Sequence, residues 1–152
     1  MSDKAYRFTE ACLYRHKADK ARLTACLDAL QLAEMGSSAH AQNYDAPAKH
    51  TGPPSSPVEA RFMTIEALRA EIQRLAPIVE GVTRLVNDLA APCVLPGSDL
   101  ARLRDVLQLV YFGGGKINVV AETMDVSEPT IRRWKKRLVD IAGHYLGAAN
   151  LC

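Results

Sequence analysis

No Cys-x-x-Cys pair occurs in the sequence, although it contains four cysteines, Cys12, Cys26, Cys93 and Cys152. None of them is accompanied by closely spaced histidines, so their spacing does not favour a zinc site. The N-terminus lacks the apolar run of a secretion signal, and no stretch is long and apolar enough to span a bilayer. We therefore expect a cytoplasmic protein with reduced thiols and without a membrane partner.

The chain also lacks the residue patterns of an enzyme. No histidine stands beside Ser or Cys in a recognisable catalytic context, and neither a paired-carboxylate motif nor a nucleotide fingerprint is present. The Gly113-Gly114-Gly115 run has no Gly-Lys-Ser/Thr ending and no preceding strand pattern, so we interpret it as a turn rather than a phosphate loop. We expect no enzymatic activity, no cofactor and no metal site.

Positive and negative side chains nearly balance over the whole chain, and the net charge is only +2. This value disfavours a general polyelectrolyte binder, and locally concentrated positive charge fits specific duplex binding better. Sustained strand alternation is absent as well. The apolar pattern predicts an all-α fold, in which a long N-terminal helical hairpin or coiled coil precedes a C-terminal helix-turn-helix domain over residues 98–146.

The predicted N-terminal part consists of two helices and a loop. The N-terminal helix segment covers residues 1–35, and its helical pattern runs from about Thr9, a candidate N-cap, to about Glu34, with Gly36 as a candidate stop. Residues 36–57 are rich in Ser, Ala, His, Asn, Gly and Pro, a composition that predicts a flexible loop. A heptad helix is predicted over residues 58–91.

The heptad helix carries the most regular pattern in the chain. Its apolar residues alternate steps of three and four, as in a coiled-coil seam. They are Ile65, Leu68, Ile72, Leu75, Val79, Val82, Val86 and Leu89. The seam either packs against the N-terminal helix of the same chain or makes a homodimer or higher oligomer, and both can hold together. Pro77 lies on the outer side, where we expect it to kink the helix without ending it.

A support helix is predicted after the linker at residues 91–97. Ser98 is its candidate N-cap. Its buried face would consist of Leu100, Leu103, Leu107 and Val110. The first helix of the helix-turn-helix would then cover residues 116–123.

The stretch from residue 119 to residue 137 has the spacing of a helix-turn-helix. Asp125 falls where the backbone must reverse, a position usually held by glycine, and Asp is among the few other residues that tolerate a left-handed conformation. Ser127 follows as a candidate N-cap, with Pro129 inside the first turn of the next helix. A second helix is therefore predicted to start there.

This second helix would present a cationic face to a DNA major groove. Ile131, Trp134 and Leu138 recur at helical spacing and would pack inward. Five Lys or Arg residues and no carboxylate lie between residues 130 and 138. The alternative interpretation is a solvated helix with cations near its end. The predicted DNA-binding set is Ser127, Glu128, Pro129, Thr130, Arg132, Arg133, Lys135, Lys136 and Arg137.

Within this set the predicted roles differ. Arg132 or Arg133 would read a guanine through paired hydrogen bonds. The phosphate contacts would come from Lys135, Lys136 and Arg137. Replacement of Arg133 by Ala should relax sequence preference, whereas replacement of Lys135 should weaken binding to all sequences alike. If the heptad helix forms a dimer, two recognition helices would read half-sites about one duplex turn, or a multiple of it, apart.

Two stretches of the C-terminal part suggest a family. Val110-Tyr111-Phe112-Gly113 leads into Val-Ala-Glu-x-Met-x-Val-Ser-x-x-Thr-Ile-x-Arg-Trp at residues 120–134. With the preceding order of helix, Ser/Gly/Pro-rich loop and heptad helix, the chain resembles the ArpU/RinA-type phage transcriptional regulators, whose C-terminal unit is similar to the promoter-reading fourth domain of sigma factors. The triple glycine and Asp125 depart from the residues usual in that family.

The resemblance implies a phage or prophage protein that activates late genes, with double-stranded DNA and RNA polymerase as partners. It assigns DNA contacts to Arg132, Arg133 and Lys136 and places Ser127 near a phosphate. A different hypothesis is a DNA-recruiting oligomer such as the small subunit of a phage terminase, which also combines a helix-turn-helix with oligomerising helices. A third is a helical interaction module whose motif no longer binds DNA.

Overall fold

The computed structural model describes residues 1–40 and 57–147, with side chains at 1–36 and 64–147, and every regular element in these ranges is helical. α1 spans Asp3–His40, and α2 spans Pro57–Leu89. α3, Asp99–Val106, continues into a π-helical segment, Leu107–Phe112. The last two helices are α4, Ile117–Thr123, and α5, Glu128–Tyr145. The predicted all-α fold class is confirmed.

α1 begins earlier and ends later than the sequence analysis predicts. Ser2 caps it, because the Ser2 Oγ accepts a hydrogen bond from the backbone N–H of Ala5 at 3.2 Å. Thr9, the predicted cap, lies inside the helix and is buried. Gly36, the predicted stop, is also helical, since glycine costs a helix interior only about 1 kcal/mol and does not have to end it. Residues 41–56 of the predicted loop lie outside the described ranges.

The chain divides into two compact units, and the one called here the middle unit comprises Lys20–Ala76. Two ion pairs join α1 to α2 within it. Arg22 Nε lies 2.6 Å from Glu71 Oε1, and Arg69 Nη2 lies 3.1 Å from Glu34 Oε1. Both arginines are largely exposed, so these pairs align the helices and add little stability. The helical hairpin of the predicted fold class is thus present.

The predicted seam of α2 is packed inside the single chain. In the middle unit Leu75 is fully buried, while Ile65, Leu68 and Ile72 are half buried. The remaining seam residues are also buried or half buried, and they are Val79, Val82, Val86 and Leu89. These apolar side chains already have intramolecular contacts, so the hairpin interpretation accounts for the pattern. Self-association through the seam stays a prediction. Pro77 lies inside α2 without ending it, as predicted.

The second compact unit, called here the terminal unit, combines Met1–Asp19 with Pro77–Cys152. One apolar core passes through its described part, and every helix of the unit contributes to it. Its buried residues include Leu13 of α1, Val82, Leu85 and Leu89 of α2, and Leu103, Val110, Val120, Ile131, Trp134 and Leu138. The predicted domain at residues 98–146 therefore does not enclose its own core. Residues of α1 and α2 complete the packing around its short helices.

The support helix is more irregular than expected. Ser98 caps α3 as predicted, with its Oγ accepting from the backbone N–H of Ala101 at 3.2 Å. Of the predicted buried face, Leu103, Leu107 and Val110 are buried, but Leu100 is 44 % exposed, and its neighbour Ala101 is buried in the first turn instead. The following residues form a π-helical segment rather than a continued α-helix.

The triple glycine forms a turn between the π-helical segment and α4, as predicted. Gly115 donates its backbone N–H to the carbonyl of Leu109 at 2.9 Å. A Cβ on Gly115 would stand 2.7 Å from that carbonyl oxygen, and Gly114 has a φ of 66°. A close backbone approach and a left-handed conformation therefore explain two of the three glycines.

Candidate nucleic-acid interface

The turn between α4 and α5 has the hydrogen bonds of a Schellman motif. The backbone N–H of Val126 donates to the carbonyl of Ala121 at 3.0 Å, and that of Asp125 donates to the carbonyl of Glu122 at 3.2 Å. Asp125 has a φ of 53°, the only positive φ among the non-glycine residues of the described ranges. The predicted left-handed Asp is confirmed. It satisfies carbonyls at the end of α4 and fixes the direction in which α5 starts.

The start of α5 also follows the prediction. Ser127 is the N-cap residue, with an extended backbone, and its carbonyl accepts from the N–H groups of Thr130 and Ile131 at 3.1 and 3.3 Å. Its side chain makes no capping bond, since Ser127 Oγ lies 2.9 Å from Thr130 Oγ1 instead. Pro129 sits in the first turn, where its missing N–H has no cost.

The inward face of α5 anchors the helix to the core. Ile131 and Leu138 are fully buried, and Trp134 is 7 % exposed. The guanidinium of Arg102 lies over the Trp134 ring, 5.3 Å from its centroid, and covers the edge of the core. All three predicted inward residues are in place. The opposite face of the helix is consequently directed to solvent.

The outward face carries most of the predicted DNA-binding residues. Ser127, Glu128, Pro129, Arg132, Arg133, Lys136 and Arg137 are exposed, and Thr130 is half buried. Two of these cations have carboxylate neighbours: Arg132 lies 3.5 Å from Glu128, and Arg137 lies 2.9 Å from Asp99 at the start of α3. No ion pair is present for Arg133 or Lys136 within the described ranges.

We call the exposed side chains of Arg132, Arg133 and Lys136 the cationic face. Surface ion pairs of the Arg132–Glu128 kind contribute about 0.3–0.5 kcal/mol and exchange readily, so that pair does not remove Arg132 from the face. The three side chains lie within little more than one turn of one helix, and a major groove is wide enough to admit an α-helix. They present donors without a competing carboxylate between them in the sequence.

Lys135 differs from the other residues of the predicted DNA-binding set in its surroundings. Its side chain is only 15 % exposed, and its Nζ lies 3.2 Å from Glu10 Oε1. The Nζ also donates to the Tyr14 hydroxyl at 3.4 Å. It lies 5.3 Å from the Tyr111 ring centroid. Position 135 falls between Ile131 and Leu138 on the buried stripe of α5, so the side chain points to α1 and not to the outward face. A phosphate contact by Lys135 does not fit this geometry.

Glu10, Tyr14 and Tyr111 belong to the same cluster, and the sequence analysis missed all three. The Tyr111 hydroxyl donates to Glu10 Oε1 at 3.2 Å, and the rings of Tyr14 and Tyr111 are 4.6 Å apart. Tyr111 is 101 positions from Glu10 in the sequence, and Lys135 is 121 positions from Tyr14. No local pattern connects residues so far apart. The one available signal was the position of Lys135 on the apolar stripe of α5.

An acidic groove borders the cationic face. The groove, of about 470 Å³, opens in front of the turn, and its lining includes Asn118, Glu122, Asp125 and Glu128. The same lining includes Ser127 and Glu128 of the predicted DNA-binding set.

Comparison of the chain with protein-family models, curated proteins and solved structures gives no match. The described residues contain no group of three or more His, Cys, Asp or Glu side chains that could hold a metal ion. Among the helices of residues 1–40 and 57–147, none combines the length and the apolar character needed to cross a membrane.

Proposed function

We propose that the protein is a sequence-specific, duplex-DNA-binding transcriptional regulator that reads DNA with α5. The observation that carries this proposal is the combination of the Schellman turn at Asp125 with the cationic face of the helix that follows it. A reversing turn between two helices, followed by a cationic helix face, is the arrangement expected of a helix-turn-helix, and such a face offers side chains that can bind guanine edges and phosphates.

The roles within the face follow from its charges. Arg132 and Arg133 have the planar donor pairs that fit the O6 and N7 acceptors of guanine, whereas Lys136 is a point charge suited to a phosphate. Glu128, next to Arg132, would accept a hydrogen bond from a cytosine amino group. Arg137, paired with Asp99, would add a phosphate contact at the edge of the face.

The finer assignment is an activator of phage or prophage late genes that contacts RNA polymerase in the cytoplasm of a bacterial host. This assignment rests on the resemblance to the ArpU/RinA-type regulators. A DNA-recruiting oligomer, like a small terminase subunit, is the competing function. The two differ in whether binding depends on sequence.

Selection of bound fragments from a random duplex pool tests the proposal. The wild type is compared with an Arg132→Ala/Arg133→Ala double variant, in which both guanine-reading donors are removed and Lys136 is retained. We expect the wild type to enrich one motif and the variant to lose the enrichment while keeping salt-sensitive binding. Salt-sensitive binding by the wild type without any enriched motif would instead support the DNA-recruiting oligomer.

A further inference from the structure

One charged side chain of the recognition helix is held by α1 instead of being presented to solvent. The four residues Glu10, Tyr14, Tyr111 and Lys135 are called here the Lys135 clasp. A single oxygen, Glu10 Oε1, lies 3.2 Å from both the Lys135 Nζ and the Tyr111 hydroxyl. The Nζ also lies 5.7 Å from the Tyr14 ring centroid, so the ammonium is enclosed by one carboxylate and two aromatic rings.

The energetics of the clasp oppose release of the ammonium. Burial by itself would lower the pKa of Lys135, but the hydrogen bonds to Glu10 and Tyr14 outweigh this effect, and the pKa is raised. For Tyr111, burial raises the pKa, and the nearby Glu10 raises it further, so the hydroxyl stays protonated and donates. Withdrawal of Lys135 toward a phosphate would leave the Glu10 carboxylate partly buried without its cation, a costly arrangement.

The clasp joins three elements that are distant in sequence. Glu10 and Tyr14 lie on α1, Tyr111 on the π-helical segment and Lys135 on α5. Directed contacts of this kind fix the rotation of α5 about its own axis more strictly than apolar packing does, because hydrogen bonds require defined angles. The rotation of α5 decides which base edges Arg132 and Arg133 can reach.

We propose that Lys135 is a positioning residue for DNA reading: held by Glu10, Tyr14 and Tyr111, it sets the orientation of the cationic face, and it contacts no phosphate. This inference rests on the proposed function. It makes the first turns of α1 part of the DNA-reading unit, although no residue of α1 was predicted to take part in binding.

Lys136 is a matched control, because it is the adjacent residue, has the same chemistry and is exposed. A lysine that binds a phosphate releases counterions from the DNA. When such a lysine is removed, the slope of log affinity plotted against log salt concentration becomes less steep by about 0.9. A positioning residue releases none. Its removal changes the ratio of affinities for the preferred and a scrambled duplex while the salt dependence is retained.

The experiment measures binding to a selected and to a scrambled duplex over a series of salt concentrations. The proteins compared are the wild type, Lys135→Gln, Lys135→Met, Lys136→Gln, Glu10→Gln and the Glu10→Gln/Lys135→Gln double variant. Fluorescence of Trp134, the single tryptophan of the chain, verifies that each variant is folded. Lys135→Met keeps the aliphatic length of the side chain and serves where Lys135→Gln does not fold.

We expect Lys136→Gln to make the salt dependence of binding less steep and to lower the affinity for both duplexes by the same factor. Lys135→Gln or Lys135→Met should keep the wild-type salt dependence and lose about tenfold in preference for the selected duplex. The double variant should lose no more preference than the single variants, because both partners act through one interaction.

A flattened salt dependence in Lys135→Gln or Lys135→Met, with wild-type binding intact, would overturn the clasp and leave the proposed function standing. An unchanged preference in folded Lys135 variants would overturn it as well. Absence of duplex binding by the wild type, in contrast, would overturn the proposed function itself.

Discussion

Asp125 is the residue on which the reversal between α4 and α5 depends. Its φ of 53° is a conformation that costs ordinary L-residues about 1–2 kcal/mol and that Asp, Asn and Gly tolerate better. The carbonyls of Ala121 and Glu122 are satisfied only while this conformation persists. An unsuitable side chain at position 125 should therefore both reduce stability and disturb the direction of α5.

We predict that Asp125→Ala lowers the free energy of unfolding by about 1 kcal/mol, whereas Asp125→Gly leaves it equal or raises it. Urea unfolding followed by the fluorescence of Trp134 measures both changes. Glu122→Ala is the control, because it removes an exposed carboxylate from the same motif without changing the left-handed position. An Asp125→Gly variant less stable than Asp125→Ala would contradict this explanation of the turn.

Single residues also show where the sequence was sufficient. Asp125, Ser127 and Pro129 were predicted correctly because turn and cap preferences depend on backbone conformations that neighbouring residues determine. Lys135 was predicted to contact a phosphate because of its charge, whereas its side chain lies on the buried stripe of α5. A lysine can occupy that stripe when a carboxylate and aromatic rings surround its ammonium.

Among the elements, the paired helices of the middle unit bear on two explanations of the heptad pattern, closure of the hairpin within one chain and self-association of two chains. Leu75 is fully buried inside the single chain, so its contacts are intramolecular. Leu32 of α1, in contrast, is 71 % exposed. If the seam serves chiefly to close the hairpin, replacement of Leu75 by a smaller side chain should destabilise the fold at any protein concentration.

We predict that Leu75→Ala lowers the free energy of unfolding by about 2–5 kcal/mol, independently of protein concentration. Circular dichroism during urea unfolding at two protein concentrations measures this, because it detects the helices of both units. Leu32→Ala is the matched control and should change the value by less than about 0.5 kcal/mol. A loss that disappears at high protein concentration would show that the seam is an intermolecular contact.

Element types were easier to predict than element ends. The period of the apolar residues identified α2, and the caps identified α3 and α5, because these signals are local. α1 continued through Gly36 because one glycine weakens a helix without stopping it. The π-helical segment at Leu107–Phe112 had no sequence signal, and it is followed by the turn in which Gly115 donates its backbone N–H to the carbonyl of Leu109.

At the scale of the whole molecule, the sequence did not show that the first turns of α1 complete the core of the helix-turn-helix. Leu13 is fully buried in the same core as Trp134 and Leu138. Contacts between residues so far apart depend on the path of the intervening chain, which composition and period do not determine. For this reason the fold class could be predicted, but the extent of the terminal unit could not.

The cationic face of α5 as the DNA-binding surface is the central claim for this molecule. The most direct measurement is a titration of ¹⁵N-labelled protein with a duplex carrying the selected motif, followed by amide chemical shifts. We predict that the largest shifts occur from Ser127 to Lys136, with Arg132, Arg133 and Lys136 among them, and that the middle unit changes little. Shifts centred on the middle unit, or no shifts at low salt, would contradict the claim.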